Sequence, residues 1–498
     1  MGSIDSTHSQ TCSSGLGTFR DVAVIGAGVS GIVSAAHLSR EGCNVTVFER
    51  TPVIGGVWHF DPRVDRDPPF PNTVPPDPKW EEVLTQGLSA EEVSLIHAPP
   101  GPCYAGLKNN VSTELMRSSL LRWPEGTPSF VDQGVIRKYI EEIATACHLT
   151  DKILFRTRVE SVSKPRNSQQ WNIKTSSISL DENDSEPIIA MQSWNFDAVV
   201  VSSGHYHIPY VPDIPGLAAW RERFPDRVTH SKGYRTPTPF RGKTVLVIGA
   251  GSSSLDIVRE INGACGKVYQ SVRGSAHDFS ALRLPEGVER VAIATEFILD
   301  DAPRDLLALC PDSSLPGRVV LADGRVIESI DFVMMATGYI TSYPFLSDLE
   351  QPTMAWEDAD EQVLITADGY TTHNLHKDIF YIPDSSLAFI GVSHYVSTFS
   401  LYDFQAKVMA KVFSGKAILP SQVDMMTEHQ ERKARFKPGM RFHAMEFGEQ
   451  KYISDLLNWV NQDLENAGLE PMDGMDEAWH DSFGVIKEQL KHLQAMPA

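Results

Sequence analysis

The sequence lacks paired cysteines. Its six cysteines are scattered, without a Cys-x-x-Cys motif. The chain therefore carries neither the dithiol of a two-dinucleotide disulfide reductase nor a locally encoded metal site. Isolated cysteines are typical of reduced thiols inside the cell. We expect a cytoplasmic protein with no bound metal.

Long apolar runs and excess positive charge are missing too. No apolar run approaches the roughly 18 residues of a membrane span. The first residues are small and polar and lack the apolar segment of a signal peptide. The formal net charge of -20 would repel nucleic acid and anionic membranes. We expect no nucleic-acid partner and no membrane anchor, and a homo-oligomer stays open.

The sequence does contain one motif that occurs twice. The buried-strand pattern Asp21–Ile25 leads into the glycine turn Gly26–Gly31, and Thr244–Ile248 leads into Gly249–Ser254; a helical pattern follows each turn. Such a unit binds a dinucleotide, because the glycines let the backbone approach a pyrophosphate at the helix N-terminus. Two units predict two redox cofactors.

The end of the next strand distinguishes the two units. In the first, Glu49 follows the glycines by about 20 residues, where a carboxylate binds ribose hydroxyls. In the second, the strand ends without an acid and carries Ser271 and Arg273. A carboxylate would repel a 2′-phosphate, whereas an arginine would pair with it. The second unit is expected to bind NADPH rather than NADH; a solvated Arg273 without a ligand is the alternative.

Two further motifs are specific. With the glycine turn and Glu49, the box Gly55–Trp58 resembles the FAD site of flavin-containing monooxygenases. The segment from Phe224 to Tyr234 resembles the family fingerprint FxGxxxHxxx(Y/F), with Asp226 where glycine is usual. Baeyer–Villiger relatives end the fingerprint with tryptophan. The chain therefore resembles the fungal-type, nitrogen- and sulfur-oxidising branch.

The resemblance implies an α/β protein with two dinucleotide-binding, Rossmann-like domains, the NADPH domain being inserted into the FAD domain. Two strand patterns that end in glycine turns, Phe196–Tyr206 and Phe332–Tyr339, are interpreted as the chain leaving the FAD domain and returning to it. The expected division is a flexible tail at 1–19, the FAD domain at 20–212, the NADPH domain at 213–331, and the rest of the FAD domain with C-terminal helices at 332–498.

The resemblance also implies the site residues. Asn110 lies in a segment that resembles the one passing under the flavin ring, and it is the expected catalytic residue. The expected cofactor-binding residues are Gly26, Gly28, Ser30, Gly31, Glu49, Arg50, Gly56, Val57, Trp58, Met116, Val159, Gly204, Tyr206, His230, Ser231, Gly249, Gly251, Ser252, Ser253, Ser271, Arg273, Thr337, Gly338 and Gln405.

The implied reaction uses FAD, NADPH and O2. NADPH reduces FAD, the reduced flavin reacts with O2, and a C4a-hydroperoxyflavin oxygenates a nitrogen or sulfur atom of a small molecule, with secondary metabolites among the candidates. Two alternatives stay open: oxygen insertion next to a ketone, and a non-catalytic redox sensor that binds both cofactors. The proline-rich stretch 61–102, with a short helix expected at Trp80–Leu84, is a hypothetical cover for the substrate entrance.

Overall fold

The computed structural model describes residues 18–76, 87–179, 187–274, 284–301, 313–445 and 448–495. Its strands are β1 (Asp21–Ile25), β2 (Asn44–Phe48), β3 (Ile153–Leu154), β4 (Thr157–Ser163), β5 (Trp171–Ser179), β6 (Ile188–Phe196), β7 (Ala198–Val201), β8 (Ile208–Pro209), β9 (Val228–His230), β10 (Thr244–Ile248), β11 (Lys267–Val272), β12 (Val288–Ala292), β13 (Ala294–Leu299), β14 (Gly317–Leu321), β15 (Val326–Glu328), β16 (Phe332–Met335), β17 (Tyr339–Ile340), β18 (Leu375–His376), β19 (Phe380–Tyr381) and β20 (Leu387–Phe389). Its helices are α1 (Val29–Arg40), α2 (Ala90–His97), α3 (Gln133–Ala146), α4 (Leu217–Arg223), α5 (Ser252–Asn262), α6 (Thr398–Phe413), α7 (Gln422–Arg435), α8 (Glu449–Asn466) and α9 (Glu477–Ala495).

The first sheet is built around the first glycine unit. Its seven strands run in the order β18-β19-β20-β7-β1-β2-β3. The pairs from β20 to β3 are parallel, and β18 to β20 form an antiparallel meander. Apolar residues of α1, α3, α6 and α8 join one core on this sheet, and residues of β4 to β6 join a second. Coverage on both faces explains the uninterrupted apolar runs of β1 and β7.

The second sheet is built around the second glycine unit. Its five strands are all parallel and run in the order β12-β11-β10-β16-β9. Two apolar cores include its residues. An antiparallel sheet of β13, β14 and β15 follows β12. The Asp323–Gly324 pair in the sequence predicts a hairpin turn, and the turn between β14 and β15 lies there. The two glycine units therefore lie in separate sheets.

The two chain segments that join the sheets pair with each other. Shortly after β7 the chain forms β8, and shortly after β16 it forms β17; Ile208 and Pro209 pair antiparallel with Ile340 and Tyr339. Strand β16 itself is hydrogen-bonded to β10 and β9 in the second sheet. The expected division after residue 331 therefore cuts through that sheet, and a boundary after Met335 keeps its strands together.

The paired segments β8 and β17, between the two sheets, are called the junction below. The proline-rich stretch packs on the side of the junction that faces the second sheet. Residues 61–76 contact it through an ion pair of 2.6 Å between Lys232 Nζ and Asp65 Oδ2. The Phe70 ring lies in an apolar core with residues of β9, β10 and β16. This described part of the stretch is therefore packed on the core of the second sheet. The helix expected at Trp80–Leu84 lies outside the described residues.

Two element boundaries differ from expectation. The pattern Ile153–Val162 predicts one strand, but the chain bends at Arg156, where φ is 50°, so that β3 joins the first sheet and β4 a small antiparallel one. The helical pattern Phe404–Phe413 in the sequence predicts a helix that begins at Phe404, but helix α6 begins earlier, at Thr398. Among the described helices, none has both the length and the apolar composition needed to cross a membrane.

Candidate functional site

The first glycine turn depends on close backbone approaches. Gly26 adopts a φ of 101° and lies under the carbonyl of Ser202, and a Cβ on Gly31 would lie 1.8 Å from the Gly26 oxygen. Only glycine fits at both positions. The turn therefore brings the N-terminus of α1 directly to the carboxyl end of β1, where a pyrophosphate can accept from backbone N–H groups.

Glu49 is held beside this turn by backbone amides. Its carboxylate accepts from Ala27 N at 2.7 Å and from Thr51 N at 2.8 Å, and the side chain is buried. These two bonds fix the carboxylate, whose other lone pairs can accept from ribose hydroxyls. The neighbouring Arg50 contacts His207 Nδ1 at 3.0 Å. The placement fits the adenosine half of FAD.

Gly28 provides a direct test of fit for a cofactor. A Cβ built on this residue, the first before α1, would have Gly56 Cα as its nearest neighbour, at 3.5 Å. This is an ordinary contact distance, so a Cβ here would not clash with the protein itself. Since Gly56 and Val57 are exposed next to it, a cradle of backbone and small residues faces outwards, as a pyrophosphate requires.

The second glycine turn repeats the plan with one change. Gly249 has a φ of 132°, and a Cβ there would lie 2.1 Å from the oxygen of Ala336. A Cβ on Gly251 would meet nothing within 4 Å. Ser254 stands where the first turn has its third glycine; it is buried, and its hydroxyl donates to Gly249 O at 2.7 Å. The backbone oxygen that crowds Gly31 in the first unit is thus a hydrogen-bond partner here.

Ser271 does not present its hydroxyl to a nucleotide, contrary to the prediction. Its side chain is 1% exposed. The hydroxyl donates to Ala292 O at 3.1 Å and accepts from Ala294 N at 2.9 Å. Both bonds join β11 to the chain at the end of β12, so Ser271 is structural. Ser252, Ser253 and Arg273, by contrast, are exposed.

Asn110 and its neighbour Asn109 have opposite roles. Asn109 is buried, and its amide donates to Val111 O and Ser129 O at 2.8 Å each. The Asn110 side chain is exposed. Asn109 therefore fixes the loop, which leaves Asn110 available to a bound molecule.

The loop that carries Asn110 is fastened to helix α5 of the second unit. Tyr104 OH lies 3.4 Å from Asp256 Oδ2, and a Cβ on Gly106 would lie 2.2 Å from Glu260 Oε1. Tyr234, the last residue of the fingerprint, donates to Glu260 Oε2 at 2.6 Å. The pKa of Tyr234 is raised by burial and by this acceptor, so its hydroxyl stays protonated.

His230 is a structural centre of the fingerprint. It is 0% exposed; its Nδ1 accepts from Lys232 N at 3.0 Å, and its backbone N–H donates to Asp67 Oδ2 at 3.1 Å. Burial lowers its pKa to about 3, so the ring is neutral near pH 7. Ser231 is also buried. Both side chains support the junction and do not line an open surface in this conformation.

Other expected residues line the junction between the sheets. Tyr206 is 44% exposed, and its ring centroid lies 5.3 Å from that of Tyr339. Gly204 and Gly338 are exposed beside these rings, and Thr337 donates to Tyr210 O. The predicted residues on the two crossing segments therefore come together.

A last group of expected residues lies in the two apolar cores of the first sheet. Met116 and Val159 pack among apolar side chains, so Val159 can offer only its backbone to an adenine. Ser30 and Gln405 are buried, and Trp58 packs at the edge of the core. Gln405 Nε2 donates to the Tyr452 hydroxyl, while its Oε1 has no hydrogen-bond partner among the described residues. A buried oxygen of this kind suggests a donor from a bound group.

Comparisons with known proteins agree with this geometry. Residues 100–283 and 316–468 match the flavin-binding monooxygenase-like family, and residues 24–78 match the NAD(P)-binding Rossmann-like domain. The chain belongs to the flavin-binding monooxygenase-like family. It is 37% identical to the flavin-containing monooxygenase ustF2 of Aspergillus flavus, over 94% of this chain and 97% of that protein.

More distant relatives have the same fold. The flavin-containing monooxygenase iboF of Amanita muscaria is 29% identical over 90% of this chain and 89% of its own length. The S-allyl-L-cysteine S-oxygenase of Allium sativum has 23% identity and a TM-score of 0.69, covering 97% of this chain and 96% of its own. The protein is thus an α/β flavoenzyme, a monooxygenase that uses FAD and NADPH to oxidise a small molecule.

Sequence reasoning missed the acids that join the two units. Asp256 and Glu260 are four residues apart on α5, a spacing that resembles an ordinary solvated face. Their partners, Tyr104 and Tyr234, lie far from them in sequence. The only signal was the position of Tyr234 in the fingerprint, which does not identify its acceptor.

Proposed function

We propose that this monooxygenase transfers one oxygen atom of O2 to a nitrogen or sulfur lone pair of a small molecule. The observation that carries the proposal is Tyr234 at the end of the fingerprint, in place of the tryptophan of Baeyer–Villiger relatives. Its ring is buried between Tyr104 and Phe240, and its hydroxyl is bonded to Glu260. A larger indole would not fit this cluster without displacing α5.

When bound, FAD supplies the redox chemistry by taking a hydride from NADPH and activating O2. The chain's own residues bind and orient the cofactors. The two glycine turns hold the pyrophosphates, and Asn110 offers an amide near the flavin, on a loop whose Tyr104 and Gly106 contact α5.

The side chains available at the site suit attack by a lone pair. Of the expected site residues, the exposed ones are Gly56, Val57, Asn110, Gly204, Tyr206, Gly251, Ser252, Ser253, Arg273 and Gly338. This set has no carboxylate or imidazole that could act as a general base. Amine nitrogens and thioether sulfurs need no such base.

The remaining assignments are part of the same proposal. We place the enzyme in the cytoplasm because its charge is strongly negative and its six scattered cysteines form no Cys-x-x-Cys motif. We also divide the described chain into an FAD domain around the first sheet and an NADPH domain around the second. The FAD domain includes Phe19, which the sequence placed in the tail at 1–19, because its ring packs on Phe413 and its N–H donates to Phe413 O at 2.9 Å.

The proposal is tested by product analysis with a tertiary amine, a thioether and a cyclic ketone. We expect oxygenated product per NADPH oxidised with the amine or thioether, and hydrogen peroxide alone with the ketone. Asn110→Ala should keep NADPH oxidation while diverting most of it to hydrogen peroxide. The exposed neighbour Lys108→Ala is the matched control. Ester or lactone formation would refute the assignment to nitrogen and sulfur.

A further inference from the structure

We propose that Arg290 on β12 is a second cation for the 2′-phosphate of NADPH, acting together with Arg273. The proposal rests on the use of NADPH by the second unit and adds a specificity residue to it. It makes the site a two-arginine clamp for a phosphate dianion.

The pleat of the second sheet sets the direction of Arg290. Paired residues on neighbouring strands place their side chains on the same face, and Arg290 is paired with Gln270 of β11. The Gln270 amide donates to Ser254 Oγ at 2.8 Å, so Gln270 faces helix α5. Arg290 therefore lies on the face that carries α5 and the second glycine turn.

Both arginines line one cavity. The cavity has a volume of about 510 Å³ and lies where β11 ends. Among the described residues, its charged lining residues are Arg273 and Arg290, and the others are Gly274, Ala322 and apolar residues at the ends of β11 and β12. Two guanidinium groups on the wall of one cavity are suited to binding an anion.

The chemistry of the neighbouring strand favours the arginines as the phosphate ligands. The Ser271 hydroxyl is used by Ala292 and Ala294 and cannot contribute. An arginine side chain can span the spacing of about 4.8 Å between neighbouring strands. Two guanidinium groups can each bind phosphate oxygens with paired N–H donors.

The test uses the FAD-loaded enzyme and two probes, 2′,5′-ADP and 5′-AMP, in calorimetric titrations. Arg290→Gln should weaken binding of 2′,5′-ADP about tenfold or more and leave 5′-AMP unchanged. Arg290→Lys should recover part of the loss. Arg318→Gln, a substitution of an exposed arginine on β14 paired with Asp300, should behave as wild type.

The outcomes separate this inference from the use of NADPH itself. If wild type binds 2′,5′-ADP no better than 5′-AMP, the second unit has no 2′-phosphate site and both ideas fail. If wild type prefers 2′,5′-ADP and Arg273→Gln removes the preference while Arg290→Gln does not, only the role of Arg290 is wrong. Equal weakening of both probes by Arg290→Gln would mean a structural role and would also overturn it.

Discussion

The two glycine units of this enzyme have the same strand, turn and helix arrangement, but they differ at the third glycine of the turn. In the first, Gly31 cannot carry a Cβ because the Gly26 oxygen is 1.8 Å from where it would lie. In the second, Ser254 carries a Cβ at the matching position and bonds the Gly249 oxygen instead. The close approach of a backbone oxygen therefore requires the third glycine in the first unit, whereas the second unit accommodates a serine at that position.

The largest expected effect comes from removing the third glycine. Gly31→Ala forces a methyl group into a backbone oxygen and should destabilise the FAD domain by more than about 4 kcal/mol. We expect little soluble protein and no flavin absorbance. The matched change in the second unit, Ser254→Ala, loses a hydrogen bond and should cost only about 1 kcal/mol. Equal effects in urea unfolding of the two variants would contradict the comparison.

A buried acid lies in the helices that pack behind the first glycine unit. α6 lies beside α1, and the residue before it, Ser397, donates its N–H to the buried carboxylate of Glu449. Burial raises the pKa of Glu449 from 4.5 to about 7. Folding thus favours the protonated acid, and wild type loses stability as the pH rises from about 4.5 to about 7. The loss is roughly 3 kcal/mol.

Glu449→Gln should therefore raise the free energy of unfolding relative to wild type by up to about 3 kcal/mol at pH 8, and much less at pH 5. Urea titrations at both pH values measure this difference. Glu465→Gln, a change at an exposed position on the same helix, is the control and should show no pH-dependent gain. A gain for Glu449→Gln that is equal at both pH values would refute the ionisation of this side chain as the cause.

A smaller effect on stability is expected at the end of β11. Ser271→Ala should lower the free energy of unfolding by about 1 to 2 kcal/mol, because Ala294 N loses its acceptor. The KM for NADPH should not change, since the hydroxyl is already bonded to the backbone of Ala292 and Ala294. Thermal unfolding and steady-state kinetics test the two parts. An increased KM with unchanged stability would restore the original assignment of Ser271 to the cofactor.

The glycine units were predictable because their signals are local. Strand, turn and helix lie within about 30 residues of sequence, and the structure confirms both units and the hairpin at Asp323. Ser271 was misassigned because alternation along β11 gives two faces, and the sequence does not say which face the nucleotide occupies. The chain bend at Arg156 was likewise invisible, because it depends on which sheet each half joins.

The junction could not be read from the sequence. The contacts of Tyr104 with Asp256 and of Asp65 with Lys232 join residues more than 150 positions apart. Proline density in the stretch 61–76 indicated an irregular segment, but its packing on the second sheet is a tertiary property. Motifs therefore predicted the two glycine units, whereas only the structure located the contacts that join these units to each other.

The most direct test of two separate cofactor sites uses two matched alanines. A Cβ fits at Gly28 and at Gly251 without a clash in the protein, yet each would enter the space left for a pyrophosphate. Both variants should fold with wild-type circular dichroism. Gly28→Ala should purify without FAD, whereas Gly251→Ala should keep one FAD per chain and need about tenfold more NADPH for half-maximal anaerobic reduction. Loss of FAD from Gly251→Ala, or full FAD content in Gly28→Ala, would contradict the assignment.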